Sequence, residues 1–350
     1  MANFVYSKMS GKNDPMYGKF EHPIKALIEN ESNQQEKNKT SLDVLFNIEK
    51  SSRYSETVMG ESDFDTFMAK EEGQGAENDS VQKTYDKTIY HISFAKEFSI
   101  TKEMADDAKF GIGANIKARP QKFVRAYYKT RTQLGAKALI NATASSFVFN
   151  RATVDLTVGD GLPLFHNKHT YFTEERDGEV QSNYFYGDIC SSSEVLEETL
   201  ATLANKLRNF ENEQGESLGY TADVLIIPCN RPKLEMMAKK VIGTERTAGT
   251  NNNDINTQYG NWTLVVLDDW KCDHDEIMVM SSEANKNLLG NMFFNRVKLD
   301  IRNRIDDSTR NFIWNGYTRF GVGFTTWKHI LRAVHATGEG ATVANADLLA

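Results

Sequence analysis

Three cysteines in 350 residues, Cys190, Cys229 and Cys272, lie far apart with no paired spacing. That excludes a disulfide framework and reads as reduced thiols in an intracellular product. No apolar run approaches the roughly 18 residues that span a bilayer, so no membrane contact is expected. The opening Met-Ala-Asn-Phe-Val-Tyr-Ser-Lys lacks the apolar core of a signal peptide, so triplets such as Asn261-Trp262-Thr263 carry no glycosylation meaning. Positive charge is in deficit as well. Lys plus Arg is 41 against 48 Asp plus Glu, a net charge of −7, which excludes a general nucleic-acid binder. Also missing are Gly-x-x-x-x-Gly-Lys-Ser/Thr, Gly-x-Ser-x-Gly and His-Glu-x-x-His.

The most informative absence is local. No Asp or Glu occurs between Ala108 and Val154, a window holding Lys109, Lys117, Arg119, Lys122, Arg125, Lys129, Arg131, Lys137 and Arg151. Within it, residues from about 118 to about 142 have helical spacing. Phe123, Tyr127, Leu134 and Ala138 share one line, flanked by Val124, Tyr128 and Leu139. Lys122, Arg125, Lys129, Gln133 and Lys137 fall on the other side, and Arg131 inside the apolar sector is expected to snorkel or meet a carboxylate. Thr101 reads as the N-cap of a short preceding helix that Gly111 and Gly113 break, and Pro120 suits the long helix's first turn. The cationic back is either a solvated face or a surface for something acidic.

An acidic counterpart lies upstream. Between Ser55 and Ser80 stand Glu56, Glu61, Asp63, Asp65, Glu71, Glu72, Glu77 and Asp79 against one base, Lys70. The flanks, Arg53 to Met59 and Thr84 to Phe98, are extended in character, so 51–98 reads as a two-stranded ribbon with a polar tip. Such a ribbon is marginal alone and needs another surface. Residues 1–50 read as an arm that orders against a partner, since 29–40 holds no apolar residue.

Downstream, a capping box at Ser191 and Glu194 opens a helix with Leu196, Leu200, Leu203, Leu207 and Phe210 in one stripe. A buried-type strand runs from Val224 to Ile227, Asn230 caps a helix ended by Gly243, and strands follow at Trp262 to Leu267 and Glu276 to Met280. From Asn291 longer alternating strands take over, at 293–305, 312–324 and 326–334.

Candidate chemistry is thin. Gly111-Ile-Gly113 lacks the third glycine of a dinucleotide loop. His166, His169 and Cys190 lack a second ligand pair. Asp268 to Glu276 lacks a calcium loop's spacing and reads as an acidic turn. Catalytic residues, cofactors and metals are not expected.

Four stretches together resemble the major capsid proteins of tailed bacteriophages. They are Phe98-Ser-Ile-Thr-Lys-Glu-Met-Ala-Asp-Asp with the basic helix after it; Asp160-Gly-Leu-Pro-Leu-Phe-His-Asn-Lys-His169, similar to a loop of Mu-type head subunits; Val224-Leu-Ile-Ile-Pro before a helix; and Tyr317-Thr-Arg-Phe-Gly-Val-Gly-Phe-Thr-Thr-Trp327. The resemblance covers about 50 to 335. It implies an α+β chain with the Hong Kong 97-like fold: an N-terminal arm (1–50), an extended β-hairpin loop (51–98), a peripheral domain with its spine helix (99–190 and 291–337), an axial domain (191–290) and a tail (338–350). It implies a structural, non-enzymatic subunit that forms pentamers and hexamers of an icosahedral phage or prophage head around double-stranded DNA. Implied partners are other copies, a portal, packaged DNA held without sequence reading and, because the N-terminus is too short for a fused one, a separate scaffolding protein. The implied place is the virion capsid, after synthesis in the bacterial cytoplasm. Charge pattern and resemblance together make Glu56, Glu61, Asp63, Asp65, Glu71 and Glu72 on the ribbon, and Lys122, Arg125, Lys129 and Lys137 on the helix, the subunit-interface candidates. Cross-linking through Lys70, Lys83 or Lys87 is not carried over, because no activating carboxylate is identified. The competing readings are an encapsulin-type compartment of the same fold and an unrelated metal-dependent enzyme built on Asp268 to Glu276 and His166.

Overall fold

Two five-stranded sheets share one long helix. The computed structural model describes residues 6–7, 15–61, 69–73, 75, 83–107, 114–172, 176, 178–243 and 256–336. Asp63, Asp65, Glu77, Asp79 and the tail fall outside the described residues.

The chain begins with β1 (Tyr6–Ser7), α1 (Pro15–Lys37), α2 (Ser41–Leu45) and β2 (Asn47–Lys50). The expected arm is therefore largely helical and docks on its own chain. Ile24 and Ile28, one turn apart on α1, are fully buried against Phe123, Val124, Leu299 and Ile301. Each such side chain contributes about 1.5–3 kcal/mol of burial. The polar stretch that follows is carried along as helix, with Glu31 and Ser32 buried but bonded.

Next come β3 (Ser55–Glu61) and β4 (Lys83–Tyr90), which pair antiparallel as a ribbon, and β5 (Ile92–Ile100). The continuous run of strand formers from Thr84 is thus split at His91. α3 (Lys102–Asp107) is capped as expected, with Thr101 Oγ1 accepting the Met104 N–H at 3.2 Å. α4 (Ala114–Ile140) starts earlier than the pattern predicts and takes Pro120 in its second turn. There the missing N–H forfeits one helical bond, while the ring is buried.

The short strands β6 (Ser146–Phe149), β7 (Ala152–Asp155), β8 (His169–Thr170), β9 (Val180–Gln181) and β10 (Tyr184–Gly187) follow. Then come α5 (Ser193–Arg208), β11 (Val224–Pro228), α6 (Pro232–Gly243), β12 (Thr263–Leu267), β13 (Glu276–Met280), α7 (Ser282–Asn287), β14 (Asn291–Ile305), β15 (Phe312–Phe324) and β16 (Ile330–His335). Two cap readings shift. The α5 cap is Ser192, whose side chain accepts from the Val195 N–H. Asn230 does not cap α6; its amide bonds the Cys272 main chain, donating to the carbonyl at 2.8 Å and accepting the N–H at 3.3 Å.

The first sheet has the order β1-β14-β15-β5, with β2 also on β14. The second has the order β10-β16-β13-β11-β12. Residues 326–334, read with the closing strands of the first unit, therefore supply β16 to the second sheet, antiparallel to β13. β10 joins them there in parallel with β16. Strand pairing of this range is non-local, and composition does not reveal it. The five residues of β11 and the five of β13 are all buried, the continuous apolar pattern of strands covered on both faces.

α4 bridges the two cores as its apolar line requires. Phe123 and Val124 enter one with α1; Leu134, Ala138 and Leu139 enter the other with Leu42 and Phe46. Gly316 makes room for the first end, since a Cβ there would overlap the Phe123 ring. Arg131 does not snorkel, its Nε being buried, and among the described residues no carboxylate pairs with it. Its guanidinium lies 5.8 Å from the Tyr127 ring centroid and 5.5 Å from that of Phe293, a cation–π arrangement.

Candidate assembly surfaces

The ribbon has two distinct faces, because directly opposed residues of an antiparallel pair lie on the same side. Glu56/Ile89 and Val58/Lys87 face the body; Thr57/Thr88 and Met59/Asp86 face away. Lys87 is buried, with Nζ 2.6 Å from both Asp155 Oδ2 and Thr157 Oγ1. Burial works against the Asp155 charge, but the hydrogen bonds from Lys87 and Thr157 outweigh it and hold this carboxyl below the usual range. Glu56 accepts the Ser51 hydroxyl at 2.7 Å, which lowers its pKa and turns it into an anchor of the ribbon's root. Glu61, Glu71 and Glu72 are exposed.

The four basic candidates on α4 divide. Lys122 and Lys129 are exposed on one line of the helix. Arg125, between them, is engaged within its own chain, with Nε 2.6 Å from Glu31 Oε1 and Nη2 3.3 Å from Oε2. That pairing holds the buried Glu31 ionised, its pKa lowered chiefly by the Arg125 hydrogen bond. Lys137 folds its ammonium over Phe149, 5.7 Å from the ring centroid, and Gln133 donates to Asp269. The cationic back is thus narrower than its sequence, because two elements distant in the chain cover part of it.

The loop at 160–169 forms a closed polar knot. Buried His169 has Nδ1 2.6 Å from Asp160 Oδ2 and Nε2 3.2 Å from the Leu164 carbonyl, and its ring stacks on Trp327 at 4.6 Å. Asn183 donates to the same Leu164 carbonyl and accepts the His166 N–H. Nearby, Tyr171 lies between the Arg176 and Lys328 cations, 3.7 and 5.4 Å from its ring centroid, and burial pushes its hydroxyl up to about 12.

A second polar hub joins α4 to the second sheet. Arg332 donates through Nε and Nη2 to Glu276 Oε2 and through Nη1 to the Ile140 carbonyl at the end of α4. Its guanidinium lies 5.5 Å from the Phe165 ring centroid and 5.4 Å from that of Trp270. Its trace in the sequence is one charge within the apolar run Ile330-Leu-Arg-Ala-Val334.

Among the described residues no group of three or more His, Cys, Asp or Glu side chains is placed to hold a metal ion. A cleft of about 330 Å³ opens between the outer half of the ribbon (Val58 to Glu61, Thr84 and Tyr85), Gly159, Glu213 and Leu288 to Leu289. Of its charged groups, Asp160 is held by His169 and Glu213 by Lys328, while Glu61 is exposed. None of the described helices is long and apolar enough to cross a membrane.

The chain matches the family model described as phage capsid protein over residues 85–333. No curated protein matches it in sequence. It is similar to the solved structure of Mycobacterium phage Patience, at 14% identity and a TM-score of 0.50 over 97% of this chain and 94% of that one. It is also similar to the capsid structure of the Cyanophage P-SCSP1u, at 8% identity and a TM-score of 0.50 over 86% and 89%. At these identities the likeness speaks for the fold, the mixed helix-and-strand Hong Kong 97-like architecture. The chain belongs to the phage capsid protein family, a structural, non-enzymatic major capsid protein of an icosahedral phage head.

Proposed function

We propose that this subunit assembles as pentamers and hexamers into a head that encloses double-stranded DNA, with its acidic ribbon lying across a neighbouring copy. The observation that carries this is the ribbon itself. It is a two-stranded element with no third strand among the described residues, in an acidic stretch of sequence. One face packs on its own body, and the face carrying Thr57, Met59 and Asp86 is open to a neighbour. Glu61, Asp63, Asp65, Glu71 and Glu72 are the acids it brings to the neighbour, and Lys122 and Lys129 are bases that a neighbour offers. Each exposed pair contributes about 0–1 kcal/mol, so the effect lies in repetition. The unit at 191–290 gathers around the five- and six-fold axes. The loop from Asp160 to His169 supports a Mu-type grouping. Synthesis in the bacterial cytoplasm, a separate scaffolding protein, a portal and sequence-independent contact with packaged DNA belong to the same reading.

Electron microscopy of the purified protein tests it: shells, or discrete pentamers and hexamers, are expected. A persistent monomer of 39.6 kDa would overturn it. For the charge reading, Lys122→Glu with Lys129→Glu, leaving Arg125 on Glu31, should block assembly. Normal shells that merely retain less DNA would assign these bases to DNA instead.

A further inference from the structure

Two of the large apolar side chains most open to water meet at the ribbon's root: Tyr54 at 69% and Tyr90 at 61% exposure. They are held in place. The Tyr54 carbonyl lies 2.8 Å from His91 Nδ1, its ring meets Tyr90 edge-on at 6.2 Å, and the Arg319 guanidinium sits 5.3 Å from its centroid. Arg319 and Tyr317, two apart on β15, share one side of the first sheet, and the Tyr317 hydroxyl is 3.2 Å from Ser93 Oγ. Arg296 donates to the Arg53 carbonyl, bringing two further cations to the rim. The acids of this region are engaged: Glu56 is bonded to Ser51, and Asp300, opposite Tyr317 on β14, to Arg302.

Exposed tyrosines with an arginine make up the composition of an interface hot spot. Rings already fixed before contact lose little entropy on binding, which favours a partner over mere exposure. The partner must be acidic and aromatic. Residues 61–72 fit, with Glu61, Asp63, Asp65, Glu71 and Glu72 around Phe64, Phe67 and Met68. We infer that the Tyr54–Tyr90–Tyr317–Arg319 surface is the seat on which segment 61–72 of a second copy docks. The inference rests on the shell reading above and names the surface that the ribbon meets. It adds an aromatic seat to the basic contact at Lys122 and Lys129, the helix bases left exposed while Arg125 and Lys137 are occupied within the chain.

A photo-crosslinking phenylalanine analogue placed at position 90 tests it, in particles assembled from mixed isotope-labelled and unlabelled chains. Mixed-isotope cross-links from position 90 to 61–72 are expected. Intact shells whose cross-links run to 119–137 or to DNA would overturn the seat and leave the shell reading standing; absence of any shell overturns both. Independently, Tyr54→Ala should raise the concentration for half-assembly about tenfold, while Tyr54→Phe leaves it unchanged. Tyr54 is mostly exposed, so the unassembled subunit should melt as before. An unaltered assembly curve for Tyr54→Ala would also overturn the seat.

Discussion

Buried polar side chains set the sharpest expectations at the scale of single residues. His329 is fully buried beside Gly290, with Nε2 2.8 Å from Asn291 Oδ1, and burial holds its pKa down at about 3. The folded chain therefore keeps this ring neutral, while the unfolded chain protonates it below about pH 6.5. Its contribution is complete above that pH and is lost as pH falls toward about 3, with a slope of about 1.4 kcal/mol per unit. Urea unfolding at pH 7, 6 and 5 should show this slope, and His329→Gln should reduce it; identical slopes would refute the assignment. Arg332 and Glu276 present the opposite case, a buried ion pair whose halves depend on each other. Arg332→Met should destabilise the subunit by about 3 kcal/mol, because the buried Glu276 Oε2 loses its cation and His274, 2.5 Å from Oε1, is the ionisable neighbour left to it. Adding Glu276→Met should recover much of that loss in a thermal melt. Arg332→Lys should not rescue it, since an ammonium can neither fork to the carboxylate nor stack between Phe165 and Trp270.

Elements differed in how far their residues announced them. The stripe of α5, the apolar runs of β11 and β13 and the alternation of β14 and β15 were all legible, because each buries a regular pattern. α1 was not. It has no continuous apolar stripe, and among its described side chains Ile24, Ile28, the Glu31–Arg125 and Glu36–Lys298 ion pairs and the Ser32–Tyr128 hydrogen bond hold it to residues far along the chain. The break at His91 was equally hidden, since strand formers run through it on both sides. Of the candidate interface, the exposed acids and bases were readable as charge. Their partial capture by Glu31 and Phe149 depends on contacts that spacing does not encode. Tyr54, an aromatic in polar sequence, carried no signal, and Tyr90 read as one more strand former in the run from Thr84, with nothing to mark it as exposed. Ile28→Ala should open a cavity at the α1–α4 contact and cost about 2–5 kcal/mol. Hydrogen exchange should then show protection lost over residues 24–36 and kept in β11 and β13. Uniform loss would mean that α1 is integral to the whole fold.

For the whole molecule, a net charge of −7 with its bases gathered on a few surfaces makes association dependent on salt. The screening length shortens from about 10 Å at 0.1 M to about 3 Å at 1 M, so contacts between exposed charges weaken across that range. The concentration for half-assembly, followed by light scattering, should rise with added sodium chloride. A fall would assign the dominant contact to apolar burial alone.

The helix α4 has one more consequence. Its 27 residues make a rod of about 40 Å at 1.5 Å per residue. One end is seated in the α1 core, and the other is tied through Ile140 to Arg332 and the second sheet. A tilt of about 5° at one seat would displace the far end of such a rod by roughly 3–4 Å. That is most of a strand spacing, about 4.8 Å. The subunit thus contains a lever, and small rotations at the α1 seat would be delivered as large translations of the second sheet.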